Sequence, residues 1–268
     1  MTARRFAHLS DIHFGGEHVE AVAAVKGWIA EHRPDLTIIT GDITREGAPA
    51  EFTAARKWVH GLASEFLVVP GNHDTPYYSL AHRVFLPWKR YEAYFGALQD
   101  QAVQRAGVAI APVNTARGAQ LRANWSKGAI TRRQADRAVK ALAGARPGSL
   151  RIVACHHPLI EMLGGPMSGK VHGGRQAAET FSRGEVDLVL TGHVHAPFAL
   201  PYPGGDGRTW AVGASTLSIR ERGVPIGFNC IEVEDACVTV TALAWTGSHF
   251  EPWRTWRIDR RPVPGLEA

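Results

Sequence analysis

The chain contains 268 residues, of which 45% are hydrophobic and 21% are charged. This composition is typical of a globular protein and excludes a disordered chain, and the length allows a large core without disulfide bonds. Lysine and arginine outnumber the acidic residues by 30 to 25, which gives a formal net charge of +5.

Cysteine usage and the distribution of apolar residues favour a reducing, aqueous compartment. The three cysteines lie far apart at positions 155, 230 and 237, which argues against a disulfide framework. The first strand-like segment begins at Arg5 with no secretory signal before it, and no apolar run approaches the ~18 residues of a membrane span. We therefore expect a cytoplasmic protein that does not contact membranes.

Short apolar runs alternate with amphipathic stretches up to His195, which predicts an α/β fold. Buried strands are expected at Arg5–Ser10, Leu36–Thr40, Glu65–Val69, Arg151–Ala154 and Asp187–Leu190. Helices are expected at Val19–His32, Ala48–Ala63, Tyr77–Leu98, Thr131–Ala143 and Gln176–Arg183. Thr131 and Gln134 form a capping-box signature at the start of the fourth of these helices. After His195 we expect an antiparallel set of strands at Arg208–Val212, Ile226–Val233 and Cys237–Ala244, and a last strand from Trp253.

Aromatic residues recur with helical spacing in the Tyr77–Leu98 stretch, namely Trp88, Tyr91, Tyr94 and Phe95. This spacing predicts packing against the core. The alternative is a cap that stacks on a base or an acyl group of a ligand.

Basic residues concentrate between positions 101 and 151, where ten lysines and arginines accompany one acid. A local positive field attracts anions such as phosphates and nucleic acids. A solvated helix face with a few loop arginines explains the same pattern, and we favour that interpretation.

Polar residues follow each of five predicted strands at the point where the strand ends. They are Asp11 and His13, Asp42, Asn72, His156, and His193 and His195. Because ligands of open α/β sheets bind at the carboxyl ends of the strands, we expect these side chains to meet at one edge. Burying so many polar groups without partners would be costly, whereas carboxylate, amide and imidazole groups are ligands of divalent metals.

Seven ligands are more than the roughly four to six that one metal ion requires. They predict two metal ions roughly 3.5–4 Å apart with one bridging carboxylate, and Asp42 is the natural bridge because it stands alone on its strand. The mixed nitrogen and oxygen donors admit Mn, Fe, Zn or Co, as a divalent or mixed-valence pair.

The motifs Asp-x-His, Gly-Asp, Gly-Asn-His-Asp, His-His-Pro and Gly-His-x-His, in this order, resemble those of the calcineurin-like metallophosphoesterases. Within that family the chain is most similar to the bacterial class III cyclic-nucleotide phosphodiesterase and glycerophosphodiesterase group. The resemblance implies a four-layer α/β/β/α sandwich of two mixed β-sheets flanked by helices. It implies a single domain over residues 1–268, with a candidate helical cap at 75–107 and a β-rich second-sheet half at 196–258.

The resemblance also implies how the ligands are shared. One metal would be held by Asp11, His13, Asp42 and His195, and the second by Asp42, Asn72, His156 and His193. The family's His-x-Pro spacing selects His156 over His157, which leaves His157 a supporting or substrate-contacting role.

The expected reaction is hydrolysis of a small anionic phosphodiester, a cyclic nucleotide or a glycerophosphodiester, by a metal-bridging hydroxide. His73 is expected to protonate the leaving group or to hydrogen-bond a phosphoryl oxygen, with Asp74 orienting its ring. Arg117, in the loop before the capped helix, and His172, which follows a glycine-rich loop at 164–170, are expected to contact substrate.

One departure from the family narrows the substrate class. Protein phosphatases of the superfamily carry Gly-Asp-x-x-Asp-Arg-Gly and Gly-Asn-His-Glu, whereas this chain has Arg45-Glu46 in the first motif and Asp74 at the end of the second. This puts phosphoserine protein substrates in doubt. Two alternatives stay open: a nuclease or nucleotide-linked pyrophosphatase, for which the basic 101–151 stretch would bind substrate, and a metal-stabilised scaffold without turnover.

Overall fold

Two six-stranded sheets carry the fold in the computed structural model, which describes residues 4–97, 103–105, 107–121, 124–161, 170–203, 205–220 and 222–262. The strands are β1 (Arg4–Leu9), β2 (Leu36–Thr40), β3 (Phe66–Val69), β4 (Val103–Arg105), β5 (Val108–Pro112), β6 (Leu150–Ala154), β7 (Leu188–Thr191), β8 (Phe198–Pro201), β9 (Trp210–Gly213), β10 (Gly227–Val233), β11 (Cys237–Trp245) and β12 (Phe250–Asp259). The helices are α1 (Val19–His32), α2 (Pro49–Val59), α3 (Leu80–Phe85), α4 (Lys89–Phe95), α5 (Arg132–Ala143) and α6 (Gly174–Arg183).

Both sheets are mixed. The first has the order β12-β11-β10-β1-β2-β3, in which β1, β2 and β3 are parallel and β10, β11 and β12 are antiparallel to their neighbours. The second has the order β4-β5-β6-β7-β9-β8, in which the four inner strands are parallel and the two edge strands are antiparallel.

The alternation of side chains along β1 shows how the layers stack. Phe6 packs in an apolar cluster built from strands of both sheets, whereas Ala7 and Leu9 pack with residues of α1 and α2. A third cluster joins the second sheet to α5 and α6. Successive residues of a strand point to opposite faces, so each sheet is covered by helices on one side and by the other sheet on the other. The predicted four-layer α/β/β/α sandwich is confirmed.

The expected helix at Tyr77–Leu98 is wrong as one continuous element. The structure has the two short helices α3 and α4, separated at Leu86 and Pro87. Proline disfavours helical backbone in the residue before it, and Leu86 accordingly leaves the helix with φ −137° and ψ 48°. The part of the proposed cap at 98–102 and residue 106 lie outside the described residues.

The strands after His195 are divided between the two sheets. β8 and β9 extend the second sheet, with β9 parallel to β7, whereas β10, β11 and β12 extend the first sheet beside β1. The expectation of one antiparallel set is therefore wrong for β9. Local residue patterns predicted β9, β10, β11 and β12 and missed β8, and the partners of the strands come from long-range packing that those patterns do not encode.

The helices of the described residues do not include one that is long and apolar enough to cross a bilayer. The cysteines at 155, 230 and 237 are all buried and unbonded to one another.

The predicted capping box at the start of α5 is present. The Thr131 hydroxyl accepts a hydrogen bond from the Gln134 backbone N–H at 3.2 Å, and the Gln134 side chain accepts one from the Thr131 N–H at 3.1 Å.

We expect Thr131→Ala to lower the free energy of unfolding by about 1 kcal/mol, because it removes the cap. Thr180→Ala, in the interior of α6, is the matched control and should change stability little, since alanine is the better helix former. Equal midpoints of urea denaturation for the two variants would contradict the prediction.

Candidate metal centre

Two loops bring the first group of predicted ligands together at the carboxyl ends of β1 and β7. His195 Nε2 lies 3.1 Å from Asp11 Oδ1, and His13 Nε2 lies 3.8 Å from the same oxygen. The Nε2 atoms of His13 and His195 are 3.5 Å apart. Three side chains from opposite sheets therefore converge on one point between the layers.

Asp42, at the end of β2, lies between this group and a second group that contains His156 and His193. Its Oδ2 lies 3.9 Å from His13 Nε2 and 3.2 Å from His156 Nε2. The ring of His193 stands 5.2 Å from that of His156, and the nearby Asn72 is 4% exposed. Six of the seven predicted ligands thus lie around one centre with Asp42 between its two halves, and the buried Asn72 adjoins His73, whose backbone N–H donates to Asp42.

The backbone is strained at these positions. Five of the seven predicted ligands have a positive φ in the left-handed region: Asp11 (52°), His13 (53°), Asp42 (50°), His193 (67°) and His195 (57°). Such conformations cost non-glycine residues about 1–3 kcal/mol each and cluster at functional sites. The loops are therefore shaped for the position of the side chains, at a cost to stability.

Glycine is required where one loop passes closely over another. A Cβ at Gly192 would overlap Ser10 Oγ and lie 2.5 Å from Asp11 Oδ2. A Cβ at Gly71 would overlap Asp42 Oδ1. The glycine that precedes a ligand in these motifs therefore makes room for a carboxylate from the neighbouring strand end.

The donor atoms at the centre fit metal ions. Asp11 Oδ1, Asn72 Oδ1 and His156 Nε2 are buried and have no hydrogen-bond partner among the described residues. The other ring nitrogen of His156 donates to the carbonyl of Thr40 at 2.7 Å, so Nε2 is the nitrogen that can ligate a metal ion once it has lost its proton. His195 Nδ1 likewise donates to the carbonyl of Arg220 at 2.9 Å. Buried polar atoms are normally paired, so these orphaned donors point to divalent metal ions as their partners.

The ionisation states also suit metal binding. Burial alone would raise the pKa of Asp11, but the neighbouring His195 holds it below its usual range, and His156 does the same for Asp42. Burial lowers the pKa of His13 and of His193 to about 4. At neutral pH these four groups are therefore carboxylates and neutral imidazoles, the forms that ligate metal.

His156 and His195 are the exceptions. Burial lowers the pKa of His195, but the Asp11 carboxylate beside it outweighs burial and raises that pKa above its ordinary value. Burial also lowers the pKa of His156, but the Asp42 carboxylate beside it outweighs burial and raises it to about 9. A metal ion must therefore displace a proton from His156, which makes metal binding weaker as the pH falls.

His73 lies at the centre but is oriented differently from the expectation. Its backbone N–H donates to Asp42 Oδ1 at 2.7 Å, and its Nδ1 donates to the carbonyl of Arg45 at 2.6 Å. Asp74 does not touch the ring, so the predicted orienting role is wrong. The fully buried Asp74 carboxylate instead accepts hydrogen bonds from the backbone of Gly71 and from the backbone and hydroxyl of Thr44, which tie two loops together.

The three residues predicted to contact substrate, Arg117, His157 and His172, instead pair with other groups of the protein. Arg117 donates to the carbonyl of Ala116 at 2.8 Å and to the side chain of Gln134 at 2.8 Å. His172 is exposed and pairs through its backbone with the segment around Ala129, and it does not line the cleft beside His13. Residues 162–169, which include most of the glycine-rich loop, lie outside the described residues.

His157 supports the centre from behind. Its Nε2 donates to the carbonyl of Ser126 at 2.8 Å, and its Nδ1 lies 2.9 Å from the Thr115 hydroxyl, so neither nitrogen is left for a substrate. Burial holds its pKa well below the usual range, and its neutral ring packs 4.6 Å from that of His193. The structure therefore favours the supporting role over the substrate contact.

A cleft of about 450 Å³ opens beside the centre, and the sequence reasoning did not assign most of its wall. It is lined by His13, Gly16, Arg45, Glu46, His73, Tyr77, Tyr78, Ile219 and Arg220. Tyr77 and Tyr78 follow the Gly-Asn-His-Asp motif, and Arg45 follows Gly-Asp. Proximity to those motifs was the available signal, but the helical interpretation of Tyr77–Leu98 obscured it.

His8 and Asn229 form a buried polar pair between the sheets, and His8 lies three residues before Asp11. Asn229 donates to His8 Nδ1 at 3.2 Å, and His8 Nε2 donates to the Thr40 hydroxyl at 3.0 Å, so the ring is neutral. Burial lowers the pKa of His8 from 6.5 to about 3. The unfolded chain therefore binds a proton here that the folded protein rejects, and stability is lost as the pH falls below 6.5.

We expect His8→Gln to reduce the loss of folding stability at acidic pH. Between about pH 6 and pH 4, the metal-free wild type should lose about 1.4 kcal/mol per pH unit more than the variant. Urea denaturation across this range measures the two slopes, and the other histidines contribute equally to both proteins. Parallel curves would show that His8 titrates normally in the folded protein.

Gly192→Ala should abolish metal binding, because the added methyl group displaces Ser10 and Asp11. After loading with manganese and gel filtration, we expect about two metal ions per wild-type chain and a higher melting temperature than for the stripped protein. The variant should lose both effects. Gly27→Ala, in α1 with open space around its Cβ, is the control and should bind metal as the wild type does. Normal metal content in Gly192→Ala would refute the assignment.

Comparisons with known proteins agree with this geometry. The family described as calcineurin-like phosphoesterase matches residues 4–197. The chain is 39% identical over 54 residues to a probable cyclic nucleotide phosphodiesterase of Synechococcus sp., and 32% identical over 81 residues to the glycerophosphodiester phosphodiesterase GpdQ of Enterobacter lignolyticus. These alignments cover 20% and 25% of this chain, and only 21% and 28% of the two relatives.

Solved structures share the fold at low sequence identity. A dimetal phosphatase from Danio rerio has a TM-score of 0.67 at 9% identity, with 96% of this chain and 99% of that chain covered. A purple acid phosphatase from yellow lupin has a TM-score of 0.65 at 13% identity, over 100% and 57% of the two chains. GAP50, described as the anchor in the inner membrane complex of Plasmodium, has a TM-score of 0.62 at 13% identity, over 100% and 92%. These similarities show the fold alone.

Proposed function

The chain belongs to the calcineurin-like phosphoesterase family, and on that premise we propose that it is a dinuclear metal-dependent phosphodiesterase that hydrolyses a small anionic phosphodiester. The observation that carries the proposal is the cluster of Asp and His side chains around Asp42, in which Asp11 Oδ1 and His156 Nε2 are buried without a hydrogen-bond partner among the described residues, with His73 at the adjoining cleft. Since the fold is shared with a protein described as an anchor, the donor set is what favours an enzyme over a scaffold.

Two metal ions would be held by the ligands assigned above, with Asp42 between them. When bound, such ions neutralise phosphoryl oxygens and lower the pKa of a water molecule so that it becomes a nucleophile near neutral pH. Mn, Fe, Zn and Co all accept this mixture of oxygen and nitrogen donors.

His73 is suited to serve the leaving group. The Arg45 carbonyl can only accept a hydrogen bond, so His73 Nδ1 keeps its proton and Nε2 is left for a ligand in the cleft. The cationic ring can donate the Nε2 proton to the departing ester oxygen, and the Arg45 carbonyl holds the ring in place during transfer. This role matters most for alkoxide leaving groups, which are poor without protonation.

The entrance of the cleft favours anionic substrates of modest size. Arg45 and Arg220 line it, and Arg45 donates to the carbonyl of Gly15 at 3.3 Å while lying 3.7 Å from the carboxylate of Glu46. Positive side chains at the mouth of a cleft steer phosphate esters inward. The partial relatives named for cyclic nucleotide and glycerophosphodiester hydrolysis support the same diester class.

A nuclease is less favoured. The basic residues of α5 lie on its outer face: Arg132 is exposed and pairs with Asp136 at 3.6 Å, whereas Ala135 and Ala138 are buried against the sheet. None of these residues lines the cleft. A nuclease would bind DNA with an affinity that falls steeply with salt, which a salt titration measures.

The manganese-loaded protein should hydrolyse bis-p-nitrophenyl phosphate well above p-nitrophenyl phosphate. His73→Asn should lower kcat by about a hundredfold or more on glycerophosphoethanolamine, and by much less on bis-p-nitrophenyl phosphate, whose leaving group needs no proton. The exposed His249→Asn is the matched control and should retain the wild-type rates. Preference for the monoester would refute the diester assignment, and no turnover of any ester would refute the enzyme.

A further inference from the structure

We propose that Tyr77 and Tyr78 form an aromatic shelf that binds a planar ring of the substrate, so that the cleft selects nucleotide-type phosphodiesters over polyol diesters. This inference rests on the proposed function and assigns the residues that determine its specificity. The shelf, defined as the rings of Tyr77 and Tyr78, shares one cleft with His13 and His73.

The two rings are exposed although most aromatic side chains nearby are not. Tyr77 is 57% exposed and Tyr78 is 79% exposed, whereas Tyr91 of α4 is 3% exposed and donates its hydroxyl to the carbonyl of Val68. Tyr94 stacks on Phe52 at 5.3 Å. Tyr91 and Tyr94 of α4 therefore pack against the core, as the spacing predicted, whereas the aromatic residues that line the cleft lie in the loop before α3.

The shelf is held rigidly despite its exposure. The Tyr77 N–H donates to the carbonyl of Glu46 at 3.0 Å, and the Tyr78 hydroxyl donates to the carboxylate of Glu46 at 3.1 Å. The two rings pack edge to face with centroids 5.3 Å apart. A ligand that stacks here therefore orders few side chains on binding, which preserves affinity.

A buried arginine supports the shelf from behind. The guanidinium carbon of Arg83 lies 5.7 Å from the centre of the Tyr77 ring, and its Nε donates to the carbonyl of Gly118 at 2.9 Å. Arg83 is only 8% exposed, and its other flank lies 5.6 Å from the ring of Trp125. This cation–π contact fixes the position of Tyr77 on the side away from solvent.

One short segment links the shelf to the catalytic histidine. Arg45 accepts the His73 hydrogen bond through its carbonyl, and the adjacent Glu46 anchors both tyrosines. The distance from the phosphate position to the shelf is thus set by two consecutive residues. A diester bound at His73 presents its organic group along this wall, where Ile219 adds apolar surface.

The chemistry of the wall distinguishes the two candidate substrate classes. A nucleobase has a π face that stacks on tyrosine in a manner tolerant of base identity, and such stacking contributes about tenfold or more in affinity. A glycerol group has hydroxyls and no flat face, and it would leave the exposed rings uncovered. The wall therefore matches the base of a nucleotide.

The test compares two ligands that differ only in the base. Adenosine 5′-monophosphate and ribose 5-phosphate carry the same sugar phosphate, and calorimetric binding to the manganese-loaded protein needs no turnover. The wild type should bind the nucleotide at least about tenfold more tightly. In Tyr77→Ala/Tyr78→Ala this ratio should fall to about one, with the affinity for ribose 5-phosphate unchanged.

Two further variants separate the shelf from general effects. Phe85→Ala removes an aromatic ring that is 79% exposed on α3 and outside the cleft, and it should keep the wild-type ratio. Tyr78→Phe retains the ring and loses only the hydroxyl bonded to Glu46, so its ratio should lie above that of the double alanine variant; a ratio as low as in that variant would contradict stacking by the ring.

The outcomes also distinguish this inference from the proposed function. Diester hydrolysis with equal affinity for the two ligands would overturn the shelf and leave the enzyme assignment standing. A preserved preference in the double alanine variant would place the base elsewhere and overturn the shelf. Binding of neither ligand, together with no turnover, would overturn both.

Discussion

The carboxylate of Asp42 holds the centre together, and the other functional features depend on its position. One oxygen accepts the backbone N–H of His73, while the other faces the Nε2 atoms of His156 and His13. Asp11 divides its oxygens in the same way, with one accepting the His193 N–H and the other facing His195. Each carboxylate thus uses one oxygen to join two strand ends and keeps the second for the charge that the centre would bind.

This arrangement destabilises the folded protein, and the apolar packing of the four-layer core offsets that cost. Five predicted ligands occupy left-handed backbone, and several buried donor atoms have no partner among the described residues. Two apolar layers between sheet and helices, and one between the sheets, surround the strands that carry these loops. Strain and unpaired polar atoms in a native protein are maintained where function needs them, and bound metal ions would satisfy these polar atoms.

One segment, Arg45–Gly47, supports both the proposed catalytic histidine and the proposed aromatic shelf. The carbonyl of Arg45 fixes the tautomer of His73, and Glu46 anchors the two exposed tyrosines. In protein phosphatases of the superfamily an Asp-Arg pair stands in this motif, whereas here the pair is Arg45-Glu46. The departure that puts protein substrates in doubt is therefore the same feature that positions the proposed shelf.

By itself the sequence predicted most of the strands and the polar residues at five strand ends, because periodicity and motif order are local features. Its resemblance to the metallophosphoesterases implied the four-layer fold. The sequence also determined the cap of α5. The tertiary structure alone decided the sheet to which β9 and β10 belong and the partners of His73, Arg117 and His157. Those depend on contacts between residues far apart in the chain: the carbonyl that orients His73 lies 28 residues away, and no spacing near Asp74 could reveal it.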